Sequence, residues 1–316
     1  MTRHRTLPLF LFLAAIWGSA FMAIKAGLGT PSAPGGFFET PVLFAAIRYD
    51  VAGVLMFGYA AYALEDPVPR GRAEWATVGV GATLLIAAYH AFLFVGETDP
   101  AVTSAAAAVI VSLSPALTTG FARAMLPDES LTAVGLAGLV LGLVGVVVLT
   151  DPDPANLLSG GALAKSFVFL AAASFALGSV LTRRIDAGMP VESMEAWSML
   201  GGALLMHGVA VGRGERLAQV AWTTDALVAL AYLSVVASAL GFLVYFDLLD
   251  RLGAVEINLV SYVAPLFAAL SGWAFLSETP TSTTGLGFLL VFAGFLLLKR
   301  KAVRAKLSRV RGAPGG

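Results

Sequence analysis

Ten apolar stretches, separated by short polar connections, follow one another along almost the whole chain. Each is close to the length of about 20 residues that a helix needs to cross the hydrocarbon core of a bilayer. Because lipid offers no hydrogen-bond partner to a backbone, each stretch is predicted to be an α-helix. The predicted spans are residues 7–28, 42–64, 75–95, 101–125, 131–149, 162–181, 191–211, 225–249, 257–276 and 281–298. The pattern predicts an all-α polytopic membrane protein with ten transmembrane helices.

The composition supports this class. Of the 316 residues, 58% are hydrophobic and 13% are charged, whereas soluble domains contain about 25% charged residues. The chain has no cysteine, which excludes a disulfide, a thiolate nucleophile and a cysteine-ligated metal. Its net charge of zero gives no indication of a nucleic-acid partner. The first apolar run is longer than the core of a signal peptide, so we expect it to be retained as a helix.

Lys and Arg are concentrated in one set of alternating connections. If the N-terminus lies inside the cell, the inner segments carry fifteen of the twenty basic residues, whereas the outer connections carry only Arg213 and Arg216. Loops rich in Lys and Arg stay in the cytoplasm. We therefore predict a multi-pass protein of the plasma (cell) membrane with both termini cytoplasmic. The basic tail, residues 299–316, is predicted to fix the last helix rather than to bind anionic lipid headgroups.

The second half of the chain repeats the order of residues that punctuates the first half. Pro115 is followed after fourteen residues by Glu129, and Pro265 is followed after thirteen residues by Glu278. A glycine-containing apolar run comes next in both halves. An odd number of crossings separates the copies, so the repeat is expected to be inverted in the bilayer, as in carriers. We predict two inverted five-helix repeats, residues 1–153 and 154–298, followed by the cytoplasmic tail 299–316.

Aromatic residues occupy matching positions in the two halves. Trp17 and Phe175 each precede a cation by eight residues, and Tyr89 and Phe242 each precede an alanine by twelve residues. Apolar walls with a few polar tips are typical of small-molecule sites, although plain helix packing is the alternative. His90 is the candidate for proton sensitivity, unless it only bonds a neighbouring helix as His207 is expected to do. The predicted cavity wall consists of Trp17, Tyr89, His90, Phe175, Phe242 and Tyr245.

Two prolines are predicted to kink helices near the middle of the bilayer. Proline has no N–H to donate, so Pro115 leaves the carbonyl of Val111 without its helical partner, and Pro265 does the same to Ser261. In lipid these carbonyls must face protein, water or substrate. A packing kink in which serine side chains bond the freed carbonyls explains the pattern equally well. The polar residues that this pattern assigns to the substrate pocket are Ser112, Ser114, Asn258, Ser261 and Tyr262.

Two cations are predicted to have structural or gating roles. Lys25 corresponds to Arg183 of the second half, as gates at opposite ends of a pathway would, although snorkelling helix-end cations are the alternative. Arg48 lies about 10 Å along the second helix. A buried cation costs at least about 2.5 kcal/mol, so Arg48 needs a partner or water. It could attract a substrate carboxylate, but a structural bond to the outer connections is favoured. The candidate partners are Glu39, Glu97 and Asp99.

Acidic residues are given structural roles. Glu129 and Glu278 begin helices, where a carboxylate complements the helix dipole and caps free N–H groups. No acidic residue is expected near mid-membrane, so a carboxylate proton relay is not supported, and facilitated diffusion or exchange stays open. The glycines of the fifth and tenth predicted helices are expected to bring the two repeats together rather than two subunits. A homodimer is left undecided.

Several short motifs occur in a fixed order. They are residues 15–25, Ala46-Ile-Arg-Tyr49, Ser114-Pro115, Pro265, and the helix starts at residues 128–132 and 277–279. In their order and spacing the chain resembles the drug/metabolite transporter superfamily, in its EamA-like branch, over about residues 7–298. The resemblance implies ten helices in two inverted repeats, a central cavity, and movement of small metabolites such as amino acids or related compounds. Phe175 in place of a second tryptophan and the long connection 29–41 depart from the repeat.

An intramembrane enzyme acting on a lipid-soluble substrate is the main alternative. Such an enzyme needs a nucleophile and base or metal ligands, and the sequence contains no G-x-S-x-G, no H-E-x-x-H and no cysteine. The sequence is thus predicted to encode a secondary transporter, not an enzyme, that moves a small metabolite or drug-like solute by alternating access. No metal or cofactor is predicted. The expected partners are a small-molecule substrate and the lipid bilayer, with no nucleic acid.

Overall fold

The computed structural model of the protein describes residues 3–126, 132–150, 160–252, 257, 259–298 and 300. Within these residues the chain forms ten helical rods, so the predicted all-α class is confirmed. A two-residue ribbon pairs β1 Gly29–Thr30 with β2 Ala33–Pro34. The rods are α1 Arg3–Leu28, α2 Pro41–Ala63, α3 Arg72–Glu97, α4 Ser104–Met125, α5 Ala133–Thr150, α6 Gly160–Ile185, α7 Val191–Gly212, α8 Thr224–Leu252, α9 Val260–Leu276 and α10 Ser282–Leu298.

The lengths and compositions of these helices fit a polytopic membrane protein. Six of the described helices, α1, α2, α3, α4, α6 and α8, are long and apolar enough to cross a bilayer. Three shorter apolar helices lie within α5, α9 and α10, and α7 has 22 residues. The predicted spans agree with the rods in number and order.

The fourth helix is shorter and less regular than its predicted span, residues 101–125. It begins at Ser104, because the Thr103 hydroxyl accepts a hydrogen bond from the backbone N–H of Ala106 at 3.2 Å and caps the first turn. The α-helical pattern is interrupted at residues 112–113 and resumes at Ser114. Pro115 lies in the first turn of the second segment, where its missing N–H has no helical partner to lose.

Two of the long helices contain π-helical turns that the sequence did not predict. They are residues Gly81–Ala88 of α3 and Tyr232–Leu240 of α8. The two segments occupy matching positions in the two halves of the sequence. When the difference in residue number between Tyr89 and Phe242 is added to the α3 segment, its ends fall within about two residues of those of the α8 segment. A π turn widens the helix and frees backbone carbonyls, and such turns are frequent at functional sites.

Glycines allow α5 and α10 to pack closely. A side chain on Gly145 would lie 2.8 Å from the backbone oxygen of Gly287, and one on Gly294 would meet the backbone of Gly138 and Gly142. Because α5 and α10 belong to different halves of the chain, the expectation that these glycines join the halves is confirmed. Elsewhere α2 packs against α7, α1 against α9, and α6 against both α3 and α4.

The connections that the structure describes completely lie on two faces of the bundle. On the face that holds the α1–α2, α3–α4, α7–α8 and α9–α10 connections, the N–H of Leu43 donates to the Glu215 carboxylate at 2.8 Å. We call this the Lys25 face. On the opposite face, the side chains of Ser193 and Trp197 donate to the carbonyl of Pro67 at 2.7 and 2.9 Å. We call this the Trp197 face.

Candidate functional site

A group of aromatic side chains joins α1 to α8. The ring of Trp17 lies 5.9 Å from that of Phe242 and 5.5 Å from that of Tyr245. The indole Nε1 of Trp17 donates a hydrogen bond to the carbonyl of Ala237, at 3.2 Å, inside the π turn of α8. A side chain on Gly241 would come within 2.8 Å of that nitrogen, so glycine is needed there for Trp17 to reach the backbone.

A second aromatic group joins α3 to α6. The ring of Tyr89 lies 5.5 Å from that of Phe175, and Ser174 donates from its hydroxyl to the carbonyl of Leu84 at 2.9 Å. Leu84 lies inside the π turn of α3. The α1–α8 and α3–α6 groups contain the residues that the sequence placed at matching positions in the two halves. Each π turn thus receives a side-chain hydrogen bond next to an aromatic contact.

A polar cluster links α2, α3 and α8. The hydroxyl of Tyr49 lies 2.7 Å from Nε2 of His90, and Nδ1 of His90 lies 2.8 Å from the carbonyl of Ile86. A carbonyl can only accept, so Nδ1 carries the proton, and in a neutral imidazole Nε2 then accepts from Tyr49. Both ring nitrogens of His90 therefore have protein partners. A solute can bond Nε2 only by displacing the Tyr49 hydroxyl, and Nδ1 only by displacing the Ile86 carbonyl.

Arg48 is bound by protein groups other than the expected ones. Its Nε donates to the hydroxyl of Ser238 at 3.2 Å, and its guanidinium lies 5.0 Å from the ring centre of Tyr49 and 6.0 Å from that of Phe94. Only 6% of the residue is exposed. Arg48 makes no hydrogen bond or ion pair to the predicted partners Glu39, Glu97 and Asp99 among the described residues, and only Glu97 interacts with it electrostatically. The guanidinium bonds α8 instead. Aromatic rings and a hydroxyl stabilise this cation instead of an ion pair.

Lys25 closes one end of the bundle. It is 5% exposed, and its Nζ donates to the carbonyls of Glu97 and Asp99 at 2.8 and 2.6 Å. These carbonyls lie at the C-terminal end of α3, where the helix dipole favours a cation. Both carboxylate oxygens of Glu97 are buried and find no hydrogen-bond partner among the described residues. Lys25 thus ties the end of α1 to the α3–α4 connection.

Glu278 caps a different helix from the one expected. The sequence placed it at the start of the tenth helix, but its carboxylate accepts from the N–H of Ser104, at 2.9 Å, at the start of α4. The tenth helix is capped instead by the Thr281 hydroxyl, which accepts from the N–H of Thr284 at 3.1 Å. Glu129 lies outside the described residues. Glu278 remains structural, but it joins the α9–α10 connection to the first half of the chain.

A cavity of about 250 Å³ lies on the Lys25 face beside these two ties. The charged members of its wall are Lys25 and Glu278, and Thr30 and Thr103 are polar. The remaining wall residues are Ala26, Gly29, Ala33, Pro100 and Leu276. The cavity wall thus contains one cationic and one acidic residue.

The serines near Pro115 bond their own helix. Ser112 donates to the carbonyl of Val109 at 2.6 Å, and Ser114 donates to that of Val111 at 2.7 Å. The carbonyl of Val111, four residues before Pro115, therefore accepts a hydrogen bond from Ser114. This agrees with the alternative in which the serines bond the backbone of their own helix. A hydroxyl whose proton is used in this way can only accept a hydrogen bond from a solute.

Of the pocket residues predicted on the ninth helix, the structure describes Ser261 and Tyr262. The ring of Tyr262 lies 4.1 Å from that of Phe295 of α10 at a tilt of 33°, and the Tyr262 hydroxyl has no partner among the described residues. Ser261 and Pro265 lie in α9, which packs on α1. Asn258 lies outside the described residues. The structure thus joins most of the predicted aromatic wall but places Tyr262 in the packing between α9 and α10.

Sequence reasoning missed three residues of the polar region. Tyr49 forms a hydrogen bond with His90, and Ser238 accepts one from Arg48. Glu195 of α7 is half-buried, makes no hydrogen bond or ion pair to any described residue, and interacts electrostatically with Tyr49 and Tyr245. Glu195 shares a helix face with the buried Ser198 and Met199, three and four residues on, and this spacing was the available signal.

The chain is similar to known proteins over almost its whole length. The family model described as "EamA-like transporter family" matches residues 5–151 and 163–300. A crystal structure of another protein has a TM-score of 0.64 at 21% identity, with 96% of this chain and 99% of that chain covered. This likeness concerns the fold.

Three relatives illustrate the range of similar proteins. The "Uncharacterized transporter YvbV" of Bacillus subtilis is 27% identical over 98% of this chain and 96% of its own length. The "Probable amino-acid metabolite efflux pump" of Salmonella typhimurium is 28% identical over 92% and 93%. A "WAT1-related protein" of the chloroplast of Arabidopsis thaliana is 27% identical over 89% of this chain, which spans 66% of that protein.

Proposed function

Because the chain belongs to the EamA-like transporter family, we propose that it moves a small metabolite across the plasma membrane by alternating access. The substrate class is an amino acid, a related compound or a small drug-like solute. The two halves, residues 1–153 and 154–298, are proposed to be inverted repeats that enclose the pathway, with both termini cytoplasmic. The name of the Salmonella relative supports an amino-acid-related substrate and export.

The observation that carries this proposal is a pair of matching side-chain-to-backbone bonds. Trp17 of α1 bonds the carbonyl of Ala237 in α8, and Ser174 of α6 bonds the carbonyl of Leu84 in α3. Leu84 and Ala237 are separated by the same interval as Tyr89 and Phe242. Helix one thus donates a side-chain hydrogen bond to helix eight, and helix six donates one to helix three, at carbonyls in matching positions. Such correspondence supports two structurally equivalent halves that can exchange roles when the pathway changes direction.

The proposed substrate cavity lies between the α1–α8 and α3–α6 aromatic groups. Trp17, Tyr245 and Phe242 supply one wall, and Tyr89 with Phe175 supplies the other. Apolar walls with a few polar groups suit a small solute that is itself partly apolar. Glu195 is the acidic residue in this region that makes no hydrogen bond or ion pair to a described residue. It is therefore available to a solute that carries a positive charge.

Lys25 and Glu278 are proposed to hold the Lys25 face closed. Both tie helix ends together across connections, and the cavity beside them would widen if these bonds were released. Lys25 therefore acts as a gating charge in this proposal. Arg48 has a structural role, since its guanidinium is enclosed by Ser238, Tyr49 and Phe94.

Counterflow in proteoliposomes tests the proposed function. The purified protein is reconstituted into vesicles loaded with one unlabelled solute, and uptake of the same labelled solute is measured for a panel of amino acids, related metabolites and cationic drugs. We expect saturable counterflow of at least one solute and none in protein-free vesicles. Absence of counterflow throughout the panel, together with turnover of a membrane-soluble compound, would favour the enzyme alternative.

A further inference from the structure

A hydrogen-bonded pair of a histidine and an aspartate lies on the outer surface of the bundle, in the seam between α2 and α7. Nε2 of His207 lies 2.8 Å from the carboxylate of Asp50. The His207 side chain is 37% exposed and that of Asp50 is 47% exposed. Asp50 lies nine residues from the start of the 23-residue α2, about 14 Å along the helix axis. His207 lies five residues before the end of α7, which is on the Lys25 face. The pair therefore lies inside the membrane span, between its middle and the Lys25 face.

Such a pair is expected to be covered by protein. Ionisable side chains within membrane spans almost always face the interior of the protein or a water-filled cavity. The surface around this pair is apolar instead, with Val54 65%, Leu204 73% and Val211 76% exposed. A polar pair half exposed on an apolar outer surface has more hydrogen-bonding capacity than lipid can satisfy.

The helix surface beside the pair is also open to close approach. At Gly58 of α2, and at Gly208 and Gly212 of α7, nothing lies within 4 Å of the position that a side chain would take. Gly208 and Gly212 form a G-x-x-x-G spacing, which allows two membrane helices to pack backbone to backbone. Gly145 of α5 packs against Gly287 of α10, and Gly142 of α5 against Gly294 of α10, whereas Gly58, Gly208 and Gly212 have no such neighbour among the described residues.

The open glycines and the His207–Asp50 pair lie on one continuous surface. On α2, Asp50, Val54 and Gly58 follow each other at intervals of four residues, which places them on one helix face. On α7, Leu204 and Gly208 are also four apart, and His207 lies between them along the chain. We call the surface formed by these residues the α2–α7 seam. It combines a hydrogen-bond donor, an acceptor, exposed apolar side chains and room for a second helix.

We propose that the α2–α7 seam binds a second copy of this chain, forming a two-fold dimer. A two-fold interface brings the same patch of both copies together, so the patch must complement itself. The seam does so, because it carries both a carboxylate and an imidazole. Asp50 of each copy can then face His207 of the partner subunit, and the apolar side chains pack around the resulting four-residue cluster. The open glycines let α7 of each copy approach closely.

Single-cysteine cross-linking tests this proposal directly, since the chain has no cysteine of its own. Val54→Cys and Leu204→Cys place one thiol each on the seam. Leu289→Cys is the matched control, because Leu289 is 61% exposed on α10, which packs on α5. In proteoliposomes that contain both seam variants we expect oxidation to give a disulfide-linked dimer between them, because the proposed interface puts Val54 of one copy opposite Leu204 of the other. We expect no such dimer when Leu289→Cys replaces either variant.

A second variant keeps the test decisive. Gly208→Ile adds a bulky side chain where nothing in the chain itself is displaced, so the fold is expected to persist. We expect it to lower seam cross-linking by roughly tenfold, as a change of about 1.4 kcal/mol in association would do. Subunit counting by single-molecule photobleaching should show two steps for the wild type. One step for the wild type, or equal cross-linking from Leu289→Cys, would overturn the proposal.

Discussion

The indole of Trp17 in the first helix donates a hydrogen bond to the carbonyl of Ala237 in the eighth, at 3.2 Å, inside a π-helical turn. The equivalent π turn of α3 receives the hydroxyl of Ser174 at the carbonyl of Leu84, at 2.9 Å. Trp17 and Ser174 thus each donate a hydrogen bond to a carbonyl in the π turn of another helix. The bonded carbonyls belong to turns that have left the regular helical pattern, so these bonds stabilise the π turns.

Removing either donor should weaken the corresponding π turn. Trp17→Phe keeps an aromatic ring but loses the N–H, and Ser174→Ala loses the hydroxyl. We expect each to lower the free energy of unfolding by about 1 kcal/mol and to slow transport, measured by thermal unfolding and by counterflow. Ser179→Ala is the control, because Ser179 is exposed and bonds only its own helix. Unchanged stability and transport in both variants would show that the two bonds are incidental.

Tyr89→Ala should impair transport without preventing folding. The ring contacts Phe175 across the proposed cavity, so its loss removes a wall of the pathway while most helix packing persists. Counterflow should fall at least tenfold, with normal expression and a monodisperse elution profile. Tyr62→Ala is the matched control, because the Tyr62 side chain lies on the outer surface and is 90% exposed. If Tyr89→Ala transports like Tyr62→Ala, the cavity lies elsewhere. We expect Asn258→Ala to behave like Tyr89→Ala.

Arg48→Ala should reduce the amount of folded protein rather than change selectivity. Its guanidinium joins α2 to α8 through Ser238 and covers the rings of Tyr49 and Phe94. Breaking this network leaves a buried hydroxyl and two rings without their partner, which costs about 1–3 kcal/mol. Detergent-extracted yield and thermal unfolding measure the effect, with the exposed Arg72→Ala as the control. A stable Arg48→Ala protein with altered substrate preference would assign the arginine to substrate binding.

Lys25→Met should loosen the Lys25 face. The change removes the donors to the carbonyls of Glu97 and Asp99 while keeping a long apolar side chain. A single cysteine in place of Ala26, which lines the cavity, should then react several-fold faster with a polar maleimide. Lys165→Met is a suitable control, because that lysine also donates to a carbonyl, that of Leu149 at 3.1 Å. Equal labelling rates in both backgrounds would remove the gating role from Lys25.

The sequence predicted the helices well because each apolar run carries its own signal of length and composition. It also identified the aromatic residues at matching positions of the two halves, since their fixed spacing is visible along the chain. It did not show which of these rings are in contact. The π turns escaped because their residues are ordinary apolar helix formers, and the donors that stabilise them, Trp17 and Ser174, come from other helices.

Long-range partners were the second kind of information that the sequence lacked. Arg48 and Ser238 are separated by 190 residues, and Glu278 and the N–H of Ser104 by 174. Local rules place a glutamate at the start of the helix that follows it, but the fold brought Glu278 closer to another helix start. The sequence did not show the surroundings of Glu195, because the residues with which it interacts, Tyr49 and Tyr245, lie on other helices.

The most direct test of the account is the side of the membrane on which two equivalent connections lie. Ser32→Cys is placed between helices one and two, and Arg184→Cys lies at the end of helix six, before the corresponding connection of the second half; both positions are exposed. If the halves are inverted, an impermeant maleimide added to intact cells labels Ser32→Cys, and it labels Arg184→Cys only after the cells are permeabilised. Labelling of both cysteines from the same side would contradict the inverted arrangement on which the proposed transport pathway depends.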